Sequence, residues 1–134
     1  MRVVAASLHL VRQDLVHEFR TSSHRKSGLD HVLVHLVDES GAEGWGEIAS
    51  AAAPYYNAET VETCWTITHD FLLPALLGAR WDRPEEASAT WAKVRGNAFA
   101  RAGVDMAAWS LWSGAQGVPL AAALGGTRTE VVAG

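Results

Sequence analysis

The chain contains a single cysteine, Cys64. It can form no intramolecular disulfide and no Cys-x-x-Cys metal or redox pair, and a reducing, cytoplasmic setting is expected. Lysine is nearly as scarce. Lys26 lies in a polar stretch and Lys93 on an amphipathic one, and neither has the desolvating neighbours that bring a lysine into the range of a general base. Long apolar runs are also missing: Phe71 to Leu77 falls far short of the roughly 20 residues a membrane-spanning helix needs. Arg2, His9, Arg12 and Asp14 interrupt the apolar N-terminus, so no export signal is expected either. Positive charge is not in excess. Eleven Lys and Arg against 15 Asp and Glu give -4 at pH 7, which supplies no basic field for nucleic acid. There is no Gly-x-Ser-x-Gly elbow, no phosphate-cradling glycine loop, no His-Glu-x-x-His, no internal repeat and no low-complexity segment.

What is present is an ordinary globular balance, 49% hydrophobic and 19% charged over 134 residues. That length suits one core and is too short for a whole (β/α)₈ barrel of about 250 residues.

The hydrophobic period changes midway. Val3 to Val11 partly alternates, with Ala6, Leu8 and Leu10 on one face and His9 and Val11 on the other, which predicts a strand. Thr21 to Gly28 is polar and is expected to be a mobile loop. His31 to Asp38 carries β-branched residues on both faces, as a central strand covered on two sides would. Ser40-Gly41-Ala42 is turn chemistry, after which Glu43 to Ser50 is expected to return antiparallel.

Beyond Pro54 the period becomes helical. Asn57 is a candidate N-cap with Glu59 in the first turn; Val61, Trp65, Thr68 and Leu72 share a face, and Pro74 should end or kink the helix. Pro84 opens a second helix through Ala87, Trp91 and Val94, with Gly96 as its C-cap. Asn97 is expected to cap a third and longest helix running to about Gln116. That helix bears a bulky stripe (Phe99, Ala102, Met106, Trp109) and a small one (Gly103, Ala107, Ser110, Gly114). A small stripe lets another backbone approach closely, either inside the domain or as a docking face. Gly117 breaks the helix, Pro119 starts a short one, Gly125-Gly126 stops it, and Glu130 to Ala133 reads as a further strand. A strand at the very end, with neither partner nor turn, reads as a chain cut where another domain would begin.

Candidate chemistry is sparse. His31 and His35 share a strand face but stand about 13 Å apart at the strand rise, too far to chelate one ion. The six histidines are read as surface and half-exposed strand residues. Asp38-Glu39 is read as a solvated turn, and the glycines of Gly44-Trp45-Gly46-Glu47 as permitting a close backbone approach or a bulge. Most of the six tryptophans lie on helical apolar faces and should pack in the core. Phe19 and Pro54-Tyr55-Tyr56 place aromatics in connecting segments, where they either face a ligand or staple their own loops.

These segments, in order, resemble the enolase superfamily: Phe19-Arg20-Thr21-Ser22, Gly44-Trp45-Gly46-Glu47, Pro54-Tyr55-Tyr56, Gly103 to Leu111, Gly117-Val118-Pro119-Leu120 and Leu124 to Arg128. The likeness covers essentially the whole chain. It is nearest to o-succinylbenzoate synthases and N-acylamino acid racemases of the muconate lactonizing subgroup. It implies an α+β capping domain over residues 1–128, a three-stranded antiparallel sheet followed by a helical bundle, with 129–134 starting the first strand of an absent barrel. In such enzymes the barrel carries a Lys-x-Lys base motif and three carboxylates on a divalent metal, usually Mg²⁺. With only Lys26 and Lys93, this chain has no Lys-x-Lys and is expected to be inert alone.

By position, Phe19, Ser23, Ala51 and Tyr56 match cap residues that touch a small carboxylate substrate and shut out water. Relatives often carry an aromatic at Ser23 and a larger apolar residue at Ala51, which implies a roomier or more polar wall. Ser110 replaces a usual Asp and should alter a structural hydrogen bond. The likeness also implies proton removal alpha to a carboxylate followed by dehydration or racemisation, menaquinone biosynthesis as one setting, and homo-oligomers as one assembly. Two alternatives stand beside it: a self-standing α+β interaction module that self-associates through the small stripe, and the cap of a dipeptide epimerase or muconate cycloisomerase.

Overall fold

The computed structural model describes residues 1–21 and 25–133. Three strands, β1 (Val3–Arg20), β2 (Arg25–Asp38) and β3 (Glu43–Ile48), form an antiparallel sheet in the order β1-β2-β3. β-Branched residues make β2 the central strand, but only one of its faces is fully covered. Val32, Val34 and Leu36 are buried, while His31, Leu33, His35 and Val37 on the other face are half-buried. Of the stretch Thr21 to Gly28, expected to be a loop, the part from Arg25 on belongs to β2, and residues 22–24 lie outside the described residues. β1 runs well past Val11, and between the pairs Asp14–Gly28 and Phe19–Lys26 it takes five steps against two on β2. Such a bulge bends a strand and re-aims its tip, here the part of the hairpin that bears Phe19.

The turn from β2 to β3 puts Gly41 at φ +86°, a conformation glycine adopts without strain. Asp38 is not solvated there, contrary to the sequence reading. It is 5% exposed, and its Oδ1 accepts from the Ser40 N–H (2.8 Å), the Ser40 hydroxyl (2.6 Å) and the Ala42 N–H (3.0 Å). The carboxylate is the internal acceptor around which the turn closes.

Helices cover the apolar face. α1 (Val61–Ile67) passes through a π-helical turn at Thr68–Leu72 into α2 (Leu73–Leu76). In that turn the Leu73 N–H reaches the Thr68 carbonyl five residues back, and Pro74, which has no N–H, is accommodated at the start of α2. Asn57 is not the N-cap. Thr60 is, in a reciprocal capping box with Thr63, so Glu59 lies outside the helix. α3 (Pro84–Ala87) continues as a 3₁₀ turn (Ser88–Trp91), and α4 (Ala98–Gln116) and α5 (Leu120–Ala123) follow. The core joins Val3, Val32, Val34, Leu36 and Ile48 of the sheet to Leu72, Leu76, Trp91, Val104 and Leu111 of the helical layer. Each such side chain contributes roughly 1.5–3 kcal/mol by leaving water.

α4 lies against β3, and its small stripe is the seam. A Cβ on Gly46 would stand 2.1 Å from the Gly103 carbonyl oxygen, one on Gly44 2.4 Å from the Leu111 backbone nitrogen, and one on Gly103 2.2 Å from Ile48 Cγ1. Only hydrogen fits at these three positions. The stripe is thus occupied within the domain, and the self-associating module loses its proposed interface. The bulky stripe faces outward: Met106 is exposed, and Phe99 and Trp109 are half-buried. Ser110 closes the seam by accepting a hydrogen bond from the Trp45 N–H at 3.2 Å. Glu130 to Ala133, expected to be extended, form no assigned strand and are exposed.

Candidate functional site

Two connecting segments meet at one end of the sheet. The first is the bulged tip of the β1–β2 hairpin, where Phe19 pairs with Lys26 and Arg20 with Arg25. The second is the segment between β3 and α1, whose ends are tied by the Ala51–Thr60 bridge and by the Val61 N–H donating to the Ala51 carbonyl at 3.1 Å. Between them lies a groove with two hollows. One, of about 600 Å³, is lined by Phe19, Arg25, Lys26, Ala51, Tyr55 and Tyr56 among others. The other, of about 520 Å³, shares Lys26, Ala51, Ala52 and Tyr56 and continues past His31 to Asn57 and Phe99.

Three of the four residues singled out from the sequence therefore converge. Phe19, Ala51 and Tyr56 line the same hollow, although β2 and β3 separate Phe19 from the other two along the chain. Ser23 lies outside the described residues. The aromatics do not staple their loops to the core. Phe19 is 59% exposed, Tyr55 78% and Tyr56 91%, so their rings stand at the rim of the groove. Apolar rings held at a concave mouth cost hydration unless something covers them. Sequence reasoning missed Phe99 and Asn57 as lining residues. Phe99 was assigned to the bulky stripe of a helix and Asn57 to a cap, and nothing in their local pattern points across to the hairpin.

The ionic groups lining the groove are Arg25, Lys26, Asp30 and His31. Asp30 is held by Arg12 (3.3 Å), while Glu47 Oε1 lies 2.7 Å from His31 Nδ1 without the alignment of a hydrogen bond. His35 is paired separately with Glu43 at 3.1 Å and stacked on Trp45 at 4.0 Å between centroids. The buried or half-buried groups with shifted protonation lie elsewhere. Burial pushes the Cys64 thiol up, with the Glu59 charge adding to it. Burial, with Glu85 nearby, pushes the Asp105 carboxyl up. At Asp38 burial also pushes upward, but the hydrogen bonds from Ser40 and Ala42 together outweigh it and hold the carboxyl below its usual range. None of these three lines the groove.

Among the described residues no three His, Cys, Asp or Glu side chains converge as a cation site. The described residues of the groove do not fit a divalent ion. No helix among the described residues is long and apolar enough to cross a membrane. The geometry is that of an aromatic-rimmed groove between two connecting segments.

The chain is similar to known proteins over nearly its whole length. The family model described as mandelate racemase / muconate lactonizing enzyme, N-terminal domain, matches residues 6–125. An o-succinylbenzoate synthase from Bacillus subtilis is 35% identical over 96% of this chain and 34% of its own length. An N-succinylamino acid racemase from Thermus thermophilus is 36% identical over 100% of this chain and 36% of its own. Among solved structures, a member of the enolase superfamily from Listeria innocua superposes with a TM-score of 0.90 at 29% identity, over 96% of this chain and 34% of that one. The chain spans about a third of the length of the curated relatives it matches.

Proposed function

The chain belongs to the mandelate racemase / muconate lactonizing enzyme N-terminal domain family, and on that premise we propose that it is the substrate-capping domain of an o-succinylbenzoate synthase or N-succinylamino acid racemase type enzyme. The observation that carries this reading is the convergence of Phe19, Ala51 and Tyr56, from two separate segments, on one groove. In this role the cap closes over the mouth of a catalytic barrel. Phe19 and Tyr56 cover the substrate, and Ala51, being small, leaves room beside it. Ser23 joins them on sequence position alone. Excluding water strengthens every charge interaction inside the closed site, so the cap contributes to catalysis without supplying an acid or a base.

The proton alpha to a carboxylate is removed by barrel groups, and Mg²⁺, when bound, belongs there and stabilises the charge that develops. The boundary between cap and barrel falls near residue 128. A cytoplasmic setting and, for the synthase activity, menaquinone biosynthesis belong to the same reading.

The test joins this domain to a barrel carrying a Lys-x-Lys motif and assays the product on the o-succinylbenzoate precursor, N-succinylamino acids, a dipeptide and muconate. Turnover of either of the first two that falls about tenfold in kcat/KM with Tyr56→Ala or Phe19→Ala supports the proposal. Preference for the dipeptide or muconate moves the assignment to an epimerase or a cycloisomerase. Turnover by the 134-residue chain alone would refute its expected inertness.

A further inference from the structure

The segment carrying Ala51 and Tyr56 is pinned at its two ends by the Ala51–Thr60 bridge, and Glu59 joins it to the helical layer. Its Oε1 accepts from the Phe99 N–H and its Oε2 from the Ala100 N–H, both at 3.1 Å. These are donors in the first turn of α4, which has no side-chain cap of its own. Asn97 stands at the N-cap with φ 52° and ψ 53°, and its side-chain amide donates instead to the Arg95 carbonyl.

The α4 N-terminus thus receives its anion from an element some 40 residues earlier in the chain, at the end of a 19-residue helix where negative charge is favoured. The Glu59 N–H donates in turn to Asn57 Oδ1 at 3.0 Å, and the Cys64 thiol donates to Oε2 at 3.5 Å. A continuous set of hydrogen bonds therefore runs from the groove segment into the helix. Phe99, whose N–H Glu59 holds, lines the smaller hollow together with Tyr56 and Asn57.

We infer that Glu59 is a positioning residue for the groove: its carboxylate locks the segment bearing Ala51 and Tyr56 to the first turn of α4, and so sets the distance between Tyr56 and Phe99 across the hollow. The inference rests on the capping role proposed above. An amide at this position reproduces the reach but not the chemistry. Its oxygen can still accept from one backbone N–H, while its NH₂ group confronts the other, so one of two adjacent donors loses its partner.

The experiment uses Glu59→Gln, Glu59→Asp and Glu59→Ala in two settings, with thermal melts to establish the folded fraction. In this chain, amide exchange of Phe99 and Ala100 is expected to accelerate about tenfold in Glu59→Gln relative to the rest of α4. In the barrel-linked enzyme, Glu59→Gln is expected to raise KM about tenfold while kcat per folded enzyme stays within about twofold. Glu59→Asp keeps the charge but falls short by a methylene and should rescue only in part.

A role confined to holding the fold would lower the melting temperature and the folded fraction and leave KM in place, which would overturn the inference. Unchanged exchange at Phe99 and Ala100 would also overturn it. If KM is insensitive to Glu59→Gln yet rises with Tyr56→Ala, the positioning role fails and the capping role stands. If KM responds to neither, both fail.

Discussion

The seam between α4 and β3 and the rim of the groove use opposite means within one small domain. At the seam the side chains are nearly absent. Gly44, Gly46 and Gly103 let a helix backbone settle directly on a strand, and an added methyl would stand 2.1–2.4 Å from its nearest neighbour. At the rim the side chains are large, aromatic and exposed. Close packing without slack makes the seam rigid, whereas the rim keeps apolar surface available to whatever covers it. On the capping role proposed above, stability is concentrated at the seam and binding at the rim. The same substitution effort should give different results in the two places.

The largest effect is expected at the seam. Gly46→Ala would place a methyl against the Gly103 carbonyl and the Ala107 nitrogen, both backbone atoms that cannot swing aside. A loss of about 3 kcal/mol or more is expected in urea unfolding; a loss below about 1 kcal/mol would mean the helix can lift off the strand at little cost. The rim should reverse the pattern. Tyr56→Ala and Phe19→Ala should each leave unfolding free energy within about 0.5 kcal/mol, while costing the barrel-linked enzyme about tenfold in kcat/KM. Destabilisation at the rim as large as at the seam would erase the distinction.

Ser110 probes the edge of the seam. Removing its hydroxyl in Ser110→Ala leaves the Trp45 N–H without its acceptor, and about 1 kcal/mol is expected, measured the same way. The smallest effect is a titration. The Asp38 carboxyl is held below its usual range in the folded chain, so it contributes stability that is fully present above the ordinary aspartate pKa of about 4. That contribution is lost as pH falls through the lowered folded value. Asp38→Asn should flatten this acid limb, read as unfolding midpoint against pH, and leave the profile above pH 6 unchanged in shape. A profile of unaltered slope would show that other carboxylates govern the acid limb.

Much of this was legible along the chain. Partial alternation located the start of β1, β-branched residues β2 and the Ser40-Gly41-Ala42 turn β3, and Gly117 and Pro119 the end of α4, because those signals act within a few residues. Asn57 misled because Thr60 is an equally good cap three residues on and the capping box with Thr63 decides between them. Asp38 misled because acidic residues at turns are usually solvated, and only the folded turn aims two N–H groups and a hydroxyl at one oxygen. The bulge between Asp14 and Phe19 left no trace in composition, since it is a mismatch between two strands and not a property of either. Phe19 and Tyr56 stood out locally as aromatics in connecting segments, but only likeness to a family joined them with Ala51; nothing local connects the three.

By itself the amino-acid order marked most of the strands and helices, where glycine must stand, and that a single cysteine can close no disulfide within this sequence. These follow from residue chemistry over one or two turns of chain. Tertiary structure alone decided that the small stripe of α4 is filled by β3, that Glu59 caps a helix other than its own, and that a hairpin tip and a distant loop share one groove. Each of those depends on the separation in space of groups far apart in sequence, a quantity that no local pattern encodes.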